Sequence, residues 1–557
     1  MPHHDPDQEL LELKQQRLFE LKKQQAIYGI SADPSLIIEI RKLEREIKGL
    51  QAQASPPPAA TRQVSEAAPA SPPLDQTILI ENPANIALSP EIDQVLRLMF
   101  PGYQRLVIRS EFGGGFGGGR VLLVRPIRPD GVAELPTVIK MASVALIEQE
   151  WQAYQQHIQH RWPNIAQIKE APVFTPGRAW GGLRYRLVGD GTFNVDSLGR
   201  YCQYAELEHI QFVLEKRLLK VLDQVLQYFH TEPEFQLQRS YDAILPVNAL
   251  LEVAAIPAQV TPHHLQPAQV NTTRLKQGDY VRLSHFVVTK VDLNQQTVTL
   301  NGPATGQPLR RSASLRLKGV TAPGAFPVGA RLDSLECRVS ESRAERLERE
   351  VRQAMGQNFG LTAEVITMPD GARLPNPLAA LPAILHVVRD IRVGGIHGDL
   401  NLENILVDPA TRDVSLIDFA EARTDHVLHD FLRLETQIVT HLLPEALAQA
   451  NLGPGLIQSF YQQLDQTVAR GLAPTETNFP LPALEKYFSM LVIIRTALRK
   501  YLFRADDWTE YYQGLLIYLL AALKFADLNK LGRLPKQVAF WGAAATLALI
   551  QAPPSPS

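Results

Sequence analysis

The chain has 557 residues, 45% hydrophobic and 20% charged, with a formal net charge of −2. One core seldom grows past roughly 250–300 residues, so two to four structural units are expected. The near-neutral balance excludes a global basic field for nucleic acid and an acidic solvating tail.

Cys202 and Cys337 lie far apart and form no C-x-x-C pair. They suggest neither a zinc site nor a disulfide framework and fit a reducing cytoplasm. The opening MPHHDPDQELLELK lacks the apolar stretch of a signal peptide. The most apolar run, Leu515 to Leu523, is far shorter than the roughly 20 residues that span a bilayer. It reads as a buried core helix, and no membrane function is expected.

Residues 8–53 read as a helical hairpin. Leu36, Ile40, Leu43, Ile47 and Leu50 step by four and three onto one stripe. Asp33 followed by Pro34 is a good helix start, and Gly29 ends the preceding helix. Two short helices bury little area, so the stripe calls for a protein partner, a second copy of itself, or a fold back onto its own chain. Residues 54–75 are rich in Pro, Ala and Ser and read as a semi-extended linker that tethers the hairpin.

From about Thr77 the pattern becomes short strands: Arg105–Ser110, Arg120–Pro126 and Pro136–Ala142. A helix over Leu146–His160, a strand over Leu183–Gly189 and helices including Glu206–Phe229 follow. Residues 242–340 alternate as strands again and read as a small β-barrel of OB or SH3 kind. His263 and His264 have no metal-spaced partner and read as an exposed loop. Arg310, Arg311, Arg316 and Lys318 are basic and Phe286 could stack on a base, but a solvated barrel face is favoured over nucleic acid. Cys337 reads as a small buried residue. After Arg343 the chain reads as mostly helical, apart from the segment around His397.

The strongest signal is GGIHGDLNLENILVDPATRDVSLIDFAEA, Gly394 to Ala422. Phosphoryl transfer needs a carboxylate to orient an acceptor hydroxyl, and an amide with a second carboxylate to hold magnesium against phosphates. Asp399 suits the first role; Asn404, five positions on, and Asp418, on the next strand, suit the second. Upstream, Gly113, Gly114, Gly115, Phe116, Gly117, Gly118 and Gly119 form a glycine-rich loop between strands, able to bring backbone N–H groups close to phosphates. One strand later comes Lys140, and then a helix carrying Glu148 and Glu150. A lysine paired with a helix glutamate grips the α and β phosphates of ATP. Glu150 is preferred because Trp151 and Tyr154 continue the helix toward a core; Glu148 is the alternative.

These motifs resemble the protein-kinase-like superfamily, closer to aminoglycoside and choline kinases than to protein kinases. The chain reads HGD at His397–Asp399 and DFA at Asp418–Ala420, with Asp430 resembling the structural aspartate of the small-molecule kinases. With its N-terminal hairpin it further resembles the ternary complex associated domain proteins of bacterial conflict systems. The resemblance implies an α+β, bilobal kinase-like fold with an inserted β-barrel and an N-terminal helical hairpin. Residues 76–190 would be the N-lobe, 191–241 the first C-lobe helices, 242–340 the insert and 341–557 the rest of the C-lobe. It also implies ATP and Mg2+ as cofactors, with His397 bracing the catalytic loop. Only twelve positions separate Asp418 from Asp430, and Gly398 stands where protein kinases carry an arginine, so control by a phosphorylated loop is not expected. A catalytically silent nucleotide-binding scaffold is the rival reading.

Overall fold

The computed structural model describes residues 78–112, 119–168, 170–186, 195–270, 273–292, 295–302, 313–322, 325–471 and 479–552. The hairpin expected over 8–53, the linker over 54–75 and all but the last residue of the glycine loop lie outside them.

The described chain opens with a seven-stranded sheet. Its strands are β1 (Leu79–Glu81), β2 (Arg105–Phe112), β3 (Arg120–Ile127), β4 (Thr137–Ser143), β5 (Gln167–Ile168), β6 (Val173–Phe174) and β7 (Trp180–Arg186), with the path β1-β2-β3-β4-β7-β5 and β6 on β7. Side chains alternate across a strand, and here the alternation separates two cores. Leu122, Val124, Ile139 and Met141 pack under helix α1 (Pro90–Met99). Val121, Leu123, Val138 and Ala142 face the main core. Lys140 shares the Val138 and Ala142 face, so the sheet delivers its ammonium toward the rest of the molecule.

Helix α2 (Val144–Ala153) follows and runs into a π-turn over Tyr154–Ile158. After β8 (Asp196–Ser197) the chain is largely helical to β9 (His230–Gln236). That strand pairs antiparallel with β20 (Val388–Ile396), more than 150 positions later. Between them lies the eight-stranded sheet of the insert.

Its strands are β10 (Ala249–Val253), β11 (His263–Leu265), β12 (Tyr280–Leu283), β13 (Phe286–Asp292), β14 (Thr297–Asn301), β15 (Leu315–Leu317), β16 (Arg331–Leu332) and β17 (Leu335–Ser342), in the order β11-β12-β17-β10-β15-β14-β13-β16. β12 and β13 stand five places apart in that order, about 24 Å in a flat sheet. Only Ser284 and His285 join them, a span of about 11 Å at most. The same holds for β16 and β17, so the sheet must curl back on itself. Leu251, Val281, Phe286, Val288, Leu300, Leu315 and Leu317 fill its interior as a separate apolar cluster. Two expectations are corrected here. Phe286 is fully buried and offers no stacking face, because its strand position points inward. His263 and His264 lie in β11, paired in parallel with β12, not in a loop.

Helix α3 (Arg343–Met355) leaves β17 through a Ser342–Glu345 capping box. The chain then forms a hairpin of β18 (Val365–Thr367) and β19 (Arg373–Pro375), so this stretch is less helical than expected. After β20 come β21 (Ile405–Val407), β22 (Val414–Leu416) and β23 (Arg423–His426), and then helices including α4 (His429–Gln437), α5 (Pro482–Leu498), α6 (Thr509–Ala522) and α7 (Leu534–Gln551). The apolar run at Leu515 lies in α6, which is buried on every side from Glu510 to Ala522. Among the described residues, no helix is long and apolar enough to cross a membrane.

The ends of the insert meet: Ala249 pairs with Ser342, and the Arg343 N–H donates to the Asn248 carbonyl at 2.8 Å. Replacing residues 249–342 by a short Gly-Ser linker should therefore leave the remaining chain with one cooperative thermal transition, since β9 and β20 do not depend on the insert for their pairing. Loss of that transition in calorimetry would contradict the independence of the two cores.

Candidate phosphate-transfer site

In α2, Ile147, Glu150 and Ala153 recur every three residues and form its buried stripe. That spacing turns Glu150 inward and Glu148 outward, where Glu148 pairs with Arg178. The Glu150 carboxylate reaches Lys140 Nζ at 2.7 Å, and Asp418 reaches the same ammonium from the other side at 2.6 Å. Burial works against the Lys140 charge, but the two carboxylates outweigh it and hold its pKa above the ordinary lysine value. Burial pushes the Glu150 carboxyl up to about 7, with Lys140 pulling against it. Asp418 is likewise penalised by burial, yet Lys140 brings its pKa below the usual carboxylate value.

A second bond fixes the same corner. The Phe419 N–H donates to Glu150 Oε1 at 3.1 Å, and Gln149 Nε2 donates to the Ala420 carbonyl at 2.9 Å. Helix α2 thus holds the DFA segment directly. Phe419 packs against Tyr154, Tyr185 and His397. Asp418 itself has φ +65°, a left-handed conformation uncommon outside glycine and found at strained functional positions.

The loop between β20 and β21 carries the HGD motif. Asp430, near the start of α4, accepts from the His397 N–H and the Gly398 N–H, each at 2.8 Å. His397 is fully buried and its Nε2 lies 2.9 Å from the Ile417 carbonyl, which requires a proton on that nitrogen. It ties the two halves of the motif together. Gly398 has φ +81°, and a Cβ there would collide with the Glu421 backbone oxygen. An arginine at this position has no room, which gives the HGD spelling a steric reason.

Asp399 Oδ1 accepts from Arg433 Nε at 2.8 Å and Oδ2 from Asn401 Nδ2 at 3.2 Å. Burial raises the Asp399 pKa, and Arg433 opposes the rise. Asn404 donates through Nδ2 to the Asp399 carbonyl at 2.8 Å, and its own carbonyl accepts from the Ile417 N–H at 3.1 Å. The Asn404 Oδ1 takes no protein hydrogen bond among the described residues. Asn404 and Asp418 thereby present oxygen donors from adjoining backbone segments, the chemistry a hard divalent cation requires. Among the described residues no three His, Cys, Asp or Glu side chains cluster with metal-site geometry.

The structure therefore brings together Lys140, Glu150, His397, Asp399, Asn404 and Asp418. Gly113, Gly114, Gly115, Phe116, Gly117 and Gly118 lie outside the described residues. Gly119 packs 3.2 Å from Met141 O and Ala142 Cβ if given a Cβ, and Val121 pairs directly with Lys140. Gly119 thus lies beside the Lys140 strand, and Arg120 pairs with Glu111 at 2.7 Å. Arg433 was not foreseen. Its signal in the sequence is its place three residues after Asp430, on the same face of a helix. The segment after Asp418 is short, and Thr424 pairs with Gly395 within β23.

A buried lysine on a strand, bound to a helix glutamate and a strand-end aspartate beside an Asp-x4-Asn loop, is the arrangement of the protein-kinase-like superfamily. The family model of ternary complex associated domain 9 matches residues 104–524, and the chain belongs to that family. Comparison with curated proteins gives no match. Similar solved structures include a thermostable mutant of aminoglycoside phosphotransferase APH(4)-Ia in ternary complex with ADP and hygromycin B, at 10% identity, covering 83% of this chain and 98% of that one, with a TM-score of 0.33. Amicoumacin kinase with AMP-PNP and Ca2+ is 9% identical over 78% and 87% of the two chains, TM-score 0.29. A macrolide 2'-phosphotransferase from Brachybacterium faecium is 10% identical over 80% and 96%, TM-score 0.21.

Gly398→Ala should destabilise the chain by about 1–2 kcal/mol through the left-handed backbone alone, with the Glu421 collision adding to it. Urea unfolding measures this; an unchanged midpoint would mean that the 397–399 loop does not hold its described geometry.

Proposed function

We propose that the chain is a magnesium-dependent ATP phosphotransferase. The observation that carries this is Lys140 held between Glu150 and Asp418, next to the Asp399–Asn404 loop. In this reading Gly113–Gly119 would cover the phosphates and Lys140 would grip them. Glu150 keeps the ammonium in place. Asn404 and Asp418 would hold Mg2+, which would supply compensating positive charge to the bound phosphates. Asp399 orients the acceptor hydroxyl and takes up its proton, and His397 braces the loop without reacting.

The family's description as complex-associated supports work within a multi-protein assembly, and a place in a bacterial conflict or signalling complex fits it. We assign the partner contact, or self-association, to the apolar stripe of residues 8–53, and a partner-recruiting or acceptor-covering role to the insert, read as a small closed barrel. A cytoplasmic setting suits two free, buried cysteines. One observation favours the second reading, a nucleotide-binding scaffold without catalysis: both Asp399 oxygens are already engaged, by Arg433 and Asn401.

Two measurements separate the readings. ATP with Mg2+ should raise the melting temperature by several degrees, since a ligand at 100 times its Kd stabilises the folded state by about 2.7 kcal/mol. Asp418→Ala should remove the Mg2+-dependent part. In a lysate supplied with γ-labelled ATP, Asp399→Asn should keep the melting shift and cut label transfer by roughly 100-fold or more. Equal transfer by wild type and Asp399→Asn would leave the scaffold; no melting shift at millimolar nucleotide would remove both readings.

A pH profile tests Arg433. Transfer needs ionised Asp399, so it falls as pH drops through the Asp399 pKa, which burial places above the ordinary aspartate value. Arg433→Met removes the opposing cation, so the acidic limb should move to still higher pH. A limb that stays in place while only stability changes would make Arg433 a purely structural residue.

A further inference from the structure

A second cationic site lies away from Lys140, on the outer face of the curled insert where α3 leaves it. In β15, Leu315 and Leu317 point into the insert core, so Arg316 and Lys318 point outward. Arg316 pairs in register with Leu250 of β10 and Thr299 of β14, and Leu250 pairs with Glu341 of β17. Helix α3 buries Leu347, Val351 and Ala354, and brings Arg346 and Arg349 to this face. Together these groups line a cavity of about 480 Å³, with the hydroxyls of Thr297 and Ser340.

Charge accounting distinguishes the four cations. Arg349 is paired with Glu341, and Lys318 with Glu252 at 3.1 Å. Arg316 and Arg346 have no carboxylate or hydrogen-bond partner among the described residues, and the Nε of each is shielded from solvent without a partner. Burial, and then the like charge of Arg346, lower the pKa of Arg316, with Asp292 opposing. Two guanidiniums held near each other without a counter-charge are costly unless an anion joins them.

We infer that this cavity between the insert and α3 binds a small phosphate-bearing molecule, its phosphate seated between Arg316 and Arg346. A phosphate monoester carries a charge of about −1.5 to −2 near neutrality, which matches two uncompensated guanidiniums. Guanidinium forks bind phosphate oxygens in bidentate fashion. The cavity has room for a group attached to that phosphate, and the hydroxyls of Thr297 and Ser340 can receive it. The site is independent of the phosphotransferase reading, since none of its residues belongs to the Lys140 site.

The test uses the full chain. Inorganic phosphate is titrated calorimetrically into wild type, Lys140→Met and the double variant Arg316→Gln/Arg346→Gln. Binding should persist in Lys140→Met and weaken at least tenfold in the double variant, which should still show the ATP–Mg2+ melting shift of wild type. A measurement without variants accompanies it: phenylglyoxal labelling of wild type, mapped by mass spectrometry, should show Arg316 and Arg346 protected by phosphate. Unchanged phosphate affinity in the double variant, or no protection of either arginine, overturns the proposal. A single-stranded RNA that binds more tightly with each added nucleotide, and protects the same arginines better than phosphate does, would overturn it in favour of a polynucleotide surface.

Discussion

One ammonium group joins three separate parts of this molecule. Lys140 arrives from the sheet, Glu150 from α2 and Asp418 from the end of β22, and all three converge within 2.7 Å contacts. Each carboxylate would be costly to bury alone, and so would the lysine. The three charges therefore form a set in which each member depends on the others being in place. Breaking such a set from one side costs about 3–5 kcal/mol, because a buried charge is left without its partner. The sheet, the helix and the DFA segment thus hold a common geometry, and the Phe419 N–H bond to Glu150 extends it to the backbone.

Helix α4 plays the matching part on the other side of the site. All nine of its residues are buried, although most are polar. Every third or so position meets a demand: Asp430 accepts two loop N–H groups, Arg433 holds Asp399, and Glu435 binds the buried Arg495 of α5 and the Tyr511 hydroxyl of α6. Burying so polar a helix is offset by these bonds, although the Thr436 hydroxyl and the Gln437 amide nitrogen find no partner among the described residues. The helix therefore sets where the Asp399 carboxylate points and what electrostatic field it feels.

The insert obeys a different rule. Its own apolar cluster lets it fold around itself, and its adjacent ends let the chain leave and rejoin without disturbing β9 and β20. Arg343 fastens the junction, bonding Asp242 at 2.6 Å and the Pro246 carbonyl at 2.7 Å. Asp242 in turn accepts from the Ala313 N–H inside the insert at 2.8 Å. A single buried ion pair thus links the insert, α3 and the helix before the insert.

Much of this was legible in the sequence because it is local. Alternation gave the sheet strands their faces, and the spacing of Asp399, Asn404 and Asp418 is a property of one turn and two short strands. The choice between Glu148 and Glu150 was open from charge alone, yet the Ile147–Glu150–Ala153 stripe carries the answer, since a three-residue step stays on one helix face. Other features had no local signal. Phe286 looks like an available aromatic until the curl of the sheet turns it inward. His263 and His264 look like a loop until β12 pairs with them. Arg433 is an ordinary helix arginine in sequence, and becomes a partner of Asp399 only because α4 packs beneath the loop. The two unpaired guanidiniums of Arg316 and Arg346 belong to a strand and a helix that meet only in the folded chain. Residue spacing decides which groups share a face; only tertiary packing decides what that face meets.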